Sequence, residues 1–321
     1  MGGVLLAAAD YGLPGLPIQQ GYSDPRRIWL EADGVAWRPT IEGIIMPGAT
    51  GFGLPPIEVI SQPLPGVAGS QQMEVRVGER EVFLPIYLAS EGSPQDFIDA
   101  RARFEDMVWP LDRGATFRIV AQDHTGIREL PCTYIDGLTG DEGRTVSGGR
   151  WASLGVRFRA SEPYWRARED RDLPFVVGNA KVPFLGTEGA PNTAPWPRRL
   201  SRSVILGAGM NVNITSSLPV YTTVELTGPA DSFHGSSDTG WDVRVEQPIP
   251  AGQTLRIVSD PRRKSIRLDG APAAGMVARG SVLKPFAPGQ NTLDVLVPGA
   301  TAQTLLRLSW RPLYRSAWGG R

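Results

Sequence analysis

Few residues in this 321-residue chain have the types and spacing of a catalytic or metal site. The two histidines, His124 and His234, are far apart in sequence and have no cysteine beside them, so neither resembles part of a zinc ligand set. We interpret both as turn residues at the surface. The single cysteine, Cys132, excludes an intrachain disulfide and a multi-cysteine metal site. Because it lies in a strand-like run, we expect it to be a small buried residue rather than a nucleophile.

The acidic residues give no stronger signal. Asp141 and Glu142 are adjacent in a Gly-rich loop, and glycoside hydrolysis needs only two facing carboxylates, but a solvated turn explains this pair better. The chain has no nucleophile-elbow, phosphate-binding or dinucleotide-binding motif. We therefore predict no catalytic residues, no cofactor and no metal, and we expect the protein not to be an enzyme. Asn213 begins a glycosylation-acceptor match that we attribute to chance, because no secretory signal accompanies it.

A basic turn is the most distinctive charged feature. Residues 260–264 (Asp-Pro-Arg-Arg-Lys) lie between two alternating runs, residues 255–258 and 265–268, and the period of two predicts a β-hairpin. Asp followed by Pro suits the first positions of a type I turn. The turn is either a contact for a phosphate or a partner carboxylate, or simply a soluble charged tip, and the second is the plainer interpretation.

The composition argues against several classes of protein. Lys plus Arg and Asp plus Glu are equal at 33 each, so no basic field attracts nucleic acid or an anionic membrane. The 38 glycines and 29 prolines favour short strands joined by many turns. The N-terminal apolar run is too short to span a bilayer and has no basic residues before it, so we expect neither a signal peptide nor a membrane segment.

We predict a mainly β protein whose N-terminal domain, residues 21–171, is α+β and follows an arm of residues 1–20. Asp33-Gly34 predicts the turn of a first hairpin. A Pro- and Gly-rich stretch, Ile44–Pro65, reads as a long loop. The alternating runs Met73–Val77 and Glu81–Leu88 predict a second hairpin around Gly78-Glu79.

One helix is expected in this domain. Ser93 is a good N-cap, Pro94 fits the first helical position, and Asp96 gives a capping-box-like pattern. A buried face is predicted on this helix, which ends at Trp109-Pro110; its residues are Phe97, Ile98, Phe104, Met107 and Val108. Three strands are predicted to follow, at Thr116–Ala121, Arg128–Ile135 and Trp151–Ala160.

A Pro- and Gly-rich linker, residues 172–200, is expected to separate this domain from a second one. Residues 201–321 show many short alternating runs and no helical period, which indicates a β-sandwich. The strands predicted there are Val204–Leu206, Met210–Ile214, Val220–Leu226, Trp241–Val245, the hairpin around the basic turn, Val282–Lys284, Thr292–Val297 and Leu305–Trp310.

Many short motifs follow one another in a definite order and spacing along the chain. They are Arg80–Pro85, Met107–Pro110, Arg128–Tyr134, Val156–Ala160 with Pro163–Trp165, Val224–Pro229, Ala251–Gln253, Asp260–Arg263, Pro288–Asn291, and Ser309–Pro312 with Tyr314 and Ser316–Trp318. Together they resemble the siphovirus-type tail component, or phage distal tail protein, family from about residue 27 to 318.

The resemblance implies a structural protein of the virion, made in the host cytoplasm. It would form a hexameric ring at the distal tip of a long non-contractile tail, with the N-terminal domain closing the ring and a galectin-like sandwich projecting outward. Its implied partners are further copies of itself, the tail tube protein, the baseplate hub and the tape measure protein. We expect the ring contacts to use the apolar loop Ile44–Pro65 and the hairpin Met73–Leu88.

Two other functions stand as alternatives. A carbohydrate-binding adhesion module would expose an aromatic platform, for which Trp196, Trp241 and Trp318 are the candidates. A glycan-degrading enzyme would place two carboxylates across a cleft.

Overall fold

The computed structural model describes residues 26–39, 43–66, 68–90, 93–109, 117–138, 151–176 and 205–319. The predicted arm, most of the predicted linker, Asp141, Glu142 and Trp196 lie outside these residues. The described part contains one α-helix, α1 (Pro94–Val108), and a 3-10 turn at Ala274–Met276. Its strands are β1 (Arg27–Ala32), β2 (Val35–Trp37), β3 (Gly43–Ile45), β4 (Ile57–Pro63), β5 (Ser70–Val77), β6 (Arg80–Ala89), β7 (Arg118–Asp123), β8 (Gly126–Pro131), β9 (Thr133–Asp136), β10 (Trp151–Ala160), β11 (Trp165–Ala167), β12 (Arg171–Val176), β13 (Ile205–Ile214), β14 (Thr222–Thr227), β15 (Phe233–Ser237), β16 (Asp242–Val245), β17 (Thr254–Val258), β18 (Ser265–Leu268), β19 (Ala271–Pro272), β20 (Gly289–Leu296), β21 (Leu305–Trp310) and β22 (Leu313–Tyr314).

The N-terminal unit encloses its core between two sheets. One has the strand order β2-β1-β7-β8-β11-β22, and the other has the order β3-β6-β10-β9. Alternate residues of β6 and β10, such as Leu84, Ile86 and Phe158, are fully buried because side chains on successive strand residues point to opposite faces. Asp33 and Gly34 form the predicted β1–β2 turn with φ of 46° and 83°, the left-handed values that this two-residue turn requires.

Helix α1 covers one side of this core. The predicted start is confirmed, because the Ser93 side chain accepts from the Asp96 N–H while the Asp96 carboxylate accepts from the Ser93 N–H. Phe97, Phe104, Met107 and Val108 are buried as predicted. Ile98 was predicted to be buried on the same face, and this prediction is wrong because its side chain is 52% exposed.

The C-terminal unit is a sandwich of two antiparallel sheets. The larger sheet has the order β12-β21-β14-β17-β18-β19, and the smaller has the order β13-β20-β15-β16. The predicted hairpin around the basic turn is confirmed as β17 and β18, with Ile257 opposite Ile266. The mainly β fold class is therefore confirmed. Val282–Lys284 is not a strand, since it contributes only an isolated bridge from Val282 to Asp242.

Strand pairing does not follow the predicted domain limits. β12, which overlaps the start of the predicted linker, pairs with β21, and its Phe175 is buried in the sandwich core. At the other end of the chain, β22 pairs with β11 in the N-terminal unit, and Ala317 is buried in that unit's core. The two units are therefore connected both by the segment that precedes the sandwich strands in sequence and by the segment that follows them.

One predicted hairpin is wrong. β5 and β6 follow each other directly but enter different sheets: β5 pairs with β4, whereas β6 lies between β10 and β3. The alternation of each run fits any antiparallel neighbour, so the pattern predicted the strands without specifying their partners. The stretch Ile44–Pro65, which was predicted to be a loop, accordingly contains the end of β3 and all of β4.

We predict that Ile257→Asp strongly destabilises the sandwich. Ile257 is fully buried in the core, so the substitution buries an unpaired charge at a cost on the order of several kcal/mol. Arg256→Asp is the matched control, because Arg256 is exposed and loses only a surface ion pair with Glu225 at 3.1 Å, worth about 1 kcal/mol or less. Urea unfolding of the full chain measures both, and equal losses would contradict the register.

Candidate assembly surface

The strands β4 and β5 form a two-stranded ribbon that belongs to neither core sheet. Every residue of both strands is exposed. Ile57 lies opposite Val77 and Val59 lies opposite Val75, so these side chains share one face of the ribbon. We call this set, Ile57, Val59, Val75 and Val77, the apolar ribbon face.

The other face of the ribbon is charged. Glu58 lies opposite Arg76, and Ile60 lies opposite Glu74. The Arg76 guanidinium donates to Glu74 at 2.7 Å, which raises the pKa of that arginine. An isolated two-stranded ribbon is marginal in water unless it packs against a helix or further strands. A ribbon with one apolar and one charged face is therefore suited to docking on another surface.

A buried arginine anchors the loop that leads into the ribbon, residues 46–56, which we call the ribbon root. Arg80 has a side chain that is almost completely buried and donates to four backbone carbonyls: Gly51 at 2.6 Å, Gly53 at 2.8 Å, Pro163 at 2.6 Å and Arg315 at 2.8 Å. Burial lowers the pKa of Arg80 to about 10, so it stays cationic at neutral pH. The loop passes so close to β6 that a side chain at Gly51 would collide with the backbone at Glu81.

Phe52, in the same loop, joins the ribbon root to the end of the chain. Its ring stacks between Trp165 and Trp318, with centroid distances of 5.6 Å and 5.7 Å. Its carbonyl oxygen accepts from the Ala317 N–H at 2.8 Å and from the Ser316 hydroxyl at 3.1 Å. The loop and residues 315–319, which we call the C-terminal tail, therefore pack as one piece.

Two residues of the β7–β8 hairpin hold the tail from the other side. Arg128 donates to the Ser316 carbonyl at 2.8 Å, and its guanidinium lies over the Tyr314 ring at 3.9 Å. Asp123 accepts from the Gly319 N–H at 2.6 Å. Burial acts to raise the pKa of Asp123, but hydrogen bonds from Gly319 and Thr125 outweigh it and hold the pKa below its ordinary value.

A carboxylate network crosses the junction between the two units. Glu129 is buried on β8 and forms ion pairs with Arg118 and Arg166 at 2.9 Å each and with Arg311 at 3.5 Å. Burial lowers the pKa of Arg166. Arg311, just after β21, also pairs with Asp170.

The basic turn finds its partner within the chain. Arg262 forms an ion pair with Glu162 of the N-terminal unit at 3.0 Å, and Arg263 pairs with Asp260 of its own turn at 3.2 Å. Asp260 also accepts from the Arg262 N–H. These carboxylates belong to the same chain, and the Arg262 and Arg263 side chains stay 54% and 64% exposed, which agrees with the plainer interpretation of a soluble charged turn.

The residues considered for chemistry do not come together. His124 is exposed in the β7–β8 turn, and His234 lies in β15 beside Asp242 at 3.2 Å. Cys132 is buried, and burial raises the pKa of its thiol. Across the described ranges no group of three or more His, Cys, Asp or Glu side chains could hold a metal ion. The same part of the chain contains no helix that is long and apolar enough to cross a membrane.

The two candidate platform residues that the structure describes, Trp241 and Trp318, do not form an aromatic platform. Trp241 is buried in the sandwich core, where its ring meets Phe286 at 5.5 Å. Trp318 is partly buried and stacked on Phe52. Neither side chain presents the open face that a sugar ring would need, so the carbohydrate-binding alternative gains no support from them.

The sequence analysis missed the residues that anchor the ribbon root. One signal was available for Arg80. Alternate residues of β6 face the core, and Arg80 is one of them, together with Val82 and Leu84. A charged side chain at a core-facing position needs hydrogen-bond partners inside the protein. The partners themselves come from segments up to 235 residues away, and no local pattern indicates them.

We predict that Arg80→Met costs about 3–5 kcal/mol of unfolding free energy, because it removes a buried guanidinium that joins four backbone carbonyls and leaves them without their donor. Arg159→Met is the control on the neighbouring strand. Arg159 is about half exposed and pairs with Glu81 at 3.1 Å, so its loss costs about 1 kcal/mol or less. Urea unfolding followed by tryptophan fluorescence compares them. A small loss for Arg80→Met would mean that the cluster around it is not a stabilising anchor.

Comparison with solved structures finds this fold in phage proteins. The crystal structure of the Dit protein of phage SPP1, described as a paradigm of the hub adsorption apparatus in phages that infect Gram-positive bacteria, aligns with a TM-score of 0.61 and 12% identity. The alignment covers 89% of this chain and 99% of that one. A chain of the phage P2 baseplate, in its activated conformation with Ca, aligns with a TM-score of 0.50 and 11% identity, covering 89% and 98%. At these identities the likeness shows the fold.

The sequence comparisons bear on the C-terminal unit. Comparison with curated proteins found no match. Residues 215–314 match the family model of the siphovirus-type tail component, C-terminal domain. The resemblance to siphovirus-type tail components is thus confirmed: residues 215–314 match that family's C-terminal domain, and the fold of the chain is similar to that of a phage Dit protein.

Proposed function

We propose that this protein is a structural component of a long non-contractile phage tail. It forms a hexameric ring at the distal tip and joins the tail tube to the baseplate hub. The family match over residues 215–314 and the Dit-like fold support a role in the tail or baseplate. The tail tube protein, the hub and the tape measure protein are its proposed partners.

The apolar ribbon face is the observation that carries the ring. It lies on the N-terminal unit, and three of its side chains are half or more exposed in the single chain: Ile57 (60%), Val59 (58%) and Val75 (50%). Covering such side chains by a neighbour releases about 25 cal/mol for each Å² of apolar surface removed from water. In a ring, the ribbon of each copy would contact a different surface of the next copy, and such a head-to-tail contact closes when its rotation permits.

The firm connection between the two units fits this role. The sandwich is tied to the N-terminal unit by the Glu129 network, by the Arg262–Glu162 pair and by the tail bound through Arg80 and Arg128. A ring of N-terminal units would therefore hold its six sandwiches in fixed positions, as a connector between two layers of a tail requires.

The ring proposal is tested by Val59→Lys combined with Val75→Lys. Both positions are exposed, so each chain should fold, but two lysines on the apolar ribbon face oppose docking. Native mass measurement should show the mass of a closed hexamer for the natural protein and of single chains for the double variant.

The control places two lysines on the charged ribbon face, as Gln62→Lys with Gln71→Lys, at positions that lie opposite each other. This variant should keep the ring. Hexamers in both double variants would show that the ribbon is not the contact, and a natural protein without any closed oligomer would refute the ring itself.

A further inference from the structure

Three polar side chains stand in one row across neighbouring strands at one end of the sandwich. Trp310 on β21 lies opposite Thr222 on β14. On the other side of β14, Thr223 lies opposite Val258 of β17, and the Ser259 N–H donates to the Thr222 carbonyl at 3.0 Å. Ser259 therefore stands opposite Thr222. We call Trp310, Thr222 and Ser259 the polar row.

The polar row faces the core of the sandwich. Each of its members continues the alternation of the core residues on its own strand, as Thr222 does with Val224 and Ser259 does with Ile257. The exposed fractions are 1% for Thr222, 2% for Ser259 and 8% for Trp310. All three side chains are therefore withdrawn from bulk solvent.

The polar atoms of this row have no hydrogen-bond partner among the residues that the structure describes. They are Thr222 Oγ1, Ser259 Oγ and Trp310 Nε1. A buried hydroxyl or indole N–H that makes no hydrogen bond costs free energy, and buried polar side chains generally have a partner. Three such atoms at adjacent positions of one sheet call for a common partner.

The spacing of the row suits a small bridging molecule. Facing residues on neighbouring antiparallel strands have Cβ atoms about 4.5–5.5 Å apart. At that separation two hydroxyls that do not bond each other, such as those of Thr222 and Ser259, can both reach one molecule held between them. The indole N–H of Trp310 approaches the same row from the next strand.

We infer that the polar row binds a buried water molecule. An indole N–H only donates, whereas a hydroxyl both donates and accepts, so a water can accept from Trp310 and exchange hydrogen bonds with Thr222 and Ser259. Three hydrogen bonds are typical of a buried water. An ion fits less well, because none of the three side chains carries a charge that would compensate it.

A second buried indole in the same domain shows why the row matters. The Nε1 atom of Trp241 also lacks a partner within the described residues. However, Trp241 lines a small cavity together with apolar side chains such as Phe233, Val295 and Leu308. Apolar cavities of this kind stay dry. A single unbonded N–H therefore does not indicate a water site, whereas three convergent polar groups do.

The site lies where the sandwich reaches the N-terminal unit. Two arginines that contact this unit follow the ends of β21 and β17. Arg311 forms an ion pair with Glu129 at 3.5 Å, and Arg262 forms one with Glu162 at 3.0 Å. A water shared by β21, β14 and β17 joins the strand ends from which both arginines extend. The inference goes beyond the proposed ring and does not depend on it.

The sign of a stability change tests the site. Thr222→Val keeps the shape of the side chain and removes the hydroxyl. With a bound water, the variant loses a hydrogen bond, and the urea midpoint of the full chain falls. In a dry site the same substitution removes an unbonded buried hydroxyl, and the midpoint rises.

Thr304→Val is the matched control. Thr304 is also fully buried, but its hydroxyl donates to the Pro229 carbonyl at 2.6 Å and accepts from the Thr301 N–H at 2.9 Å. This variant loses hydrogen bonds to the protein itself, so its urea midpoint should fall. The expected result is a fall for both variants, and a rise for Thr222→Val alone would overturn the inference.

A high-resolution crystal structure of the full chain observes the water directly. Density for one water is expected within hydrogen-bond distance, roughly 2.7–3.2 Å, of at least two of the three polar atoms. No such density is expected beside Nε1 of Trp241, which serves as the internal control. A polar row without density, or one whose atoms bond to protein groups instead, would overturn the inference and leave the proposed function standing.

Discussion

The guanidinium of Arg80 is the constraint on which the rest of the architecture depends. A cation buried without a carboxylate partner needs all of its donors satisfied, and the chain supplies carbonyls from the loop before the ribbon, from the β10–β11 connection and from the C-terminal tail. These three segments are far apart in sequence. Arg80 therefore fixes the ribbon root, the path into the sandwich and the path out of it relative to one another.

The same arrangement explains why the sandwich does not behave as an appended module. Phe52 stacks on Trp318, so the loop that leads to the ribbon is packed against residues that follow the last sandwich strand. The ion pair from Glu129 to Arg311 crosses the same junction. A displacement of the sandwich would therefore also shift the loop at the ribbon root. In the proposed ring, the assembly surface and the projecting domain are mechanically linked within each copy.

Much of the fold was predictable from local pattern. Three local patterns predicted their elements correctly: the alternation around Ile257, the Asp33-Gly34 turn and the Ser93 cap. Each depends only on neighbouring residues, through the alternation of side chains along a strand, the positive φ of a tight turn and the capping of a helix end. Strand partners were not predictable: β5 alternates as a core strand does, yet it pairs with β4 away from the core. Ile98 shows the same limit. Its spacing near Phe97 suggested burial, and only the packed helix reveals that it faces outward.

The apolar ribbon face leaves large apolar side chains of the single chain in water, where a neighbouring copy would cover them. We propose that the ring closes through this face. Electron microscopy of the purified full-length protein tests this closure most directly. We predict closed six-fold rings with a central opening, in which each ribbon contacts the adjacent copy. Single chains, or rings whose ribbons contact no neighbour, would contradict it.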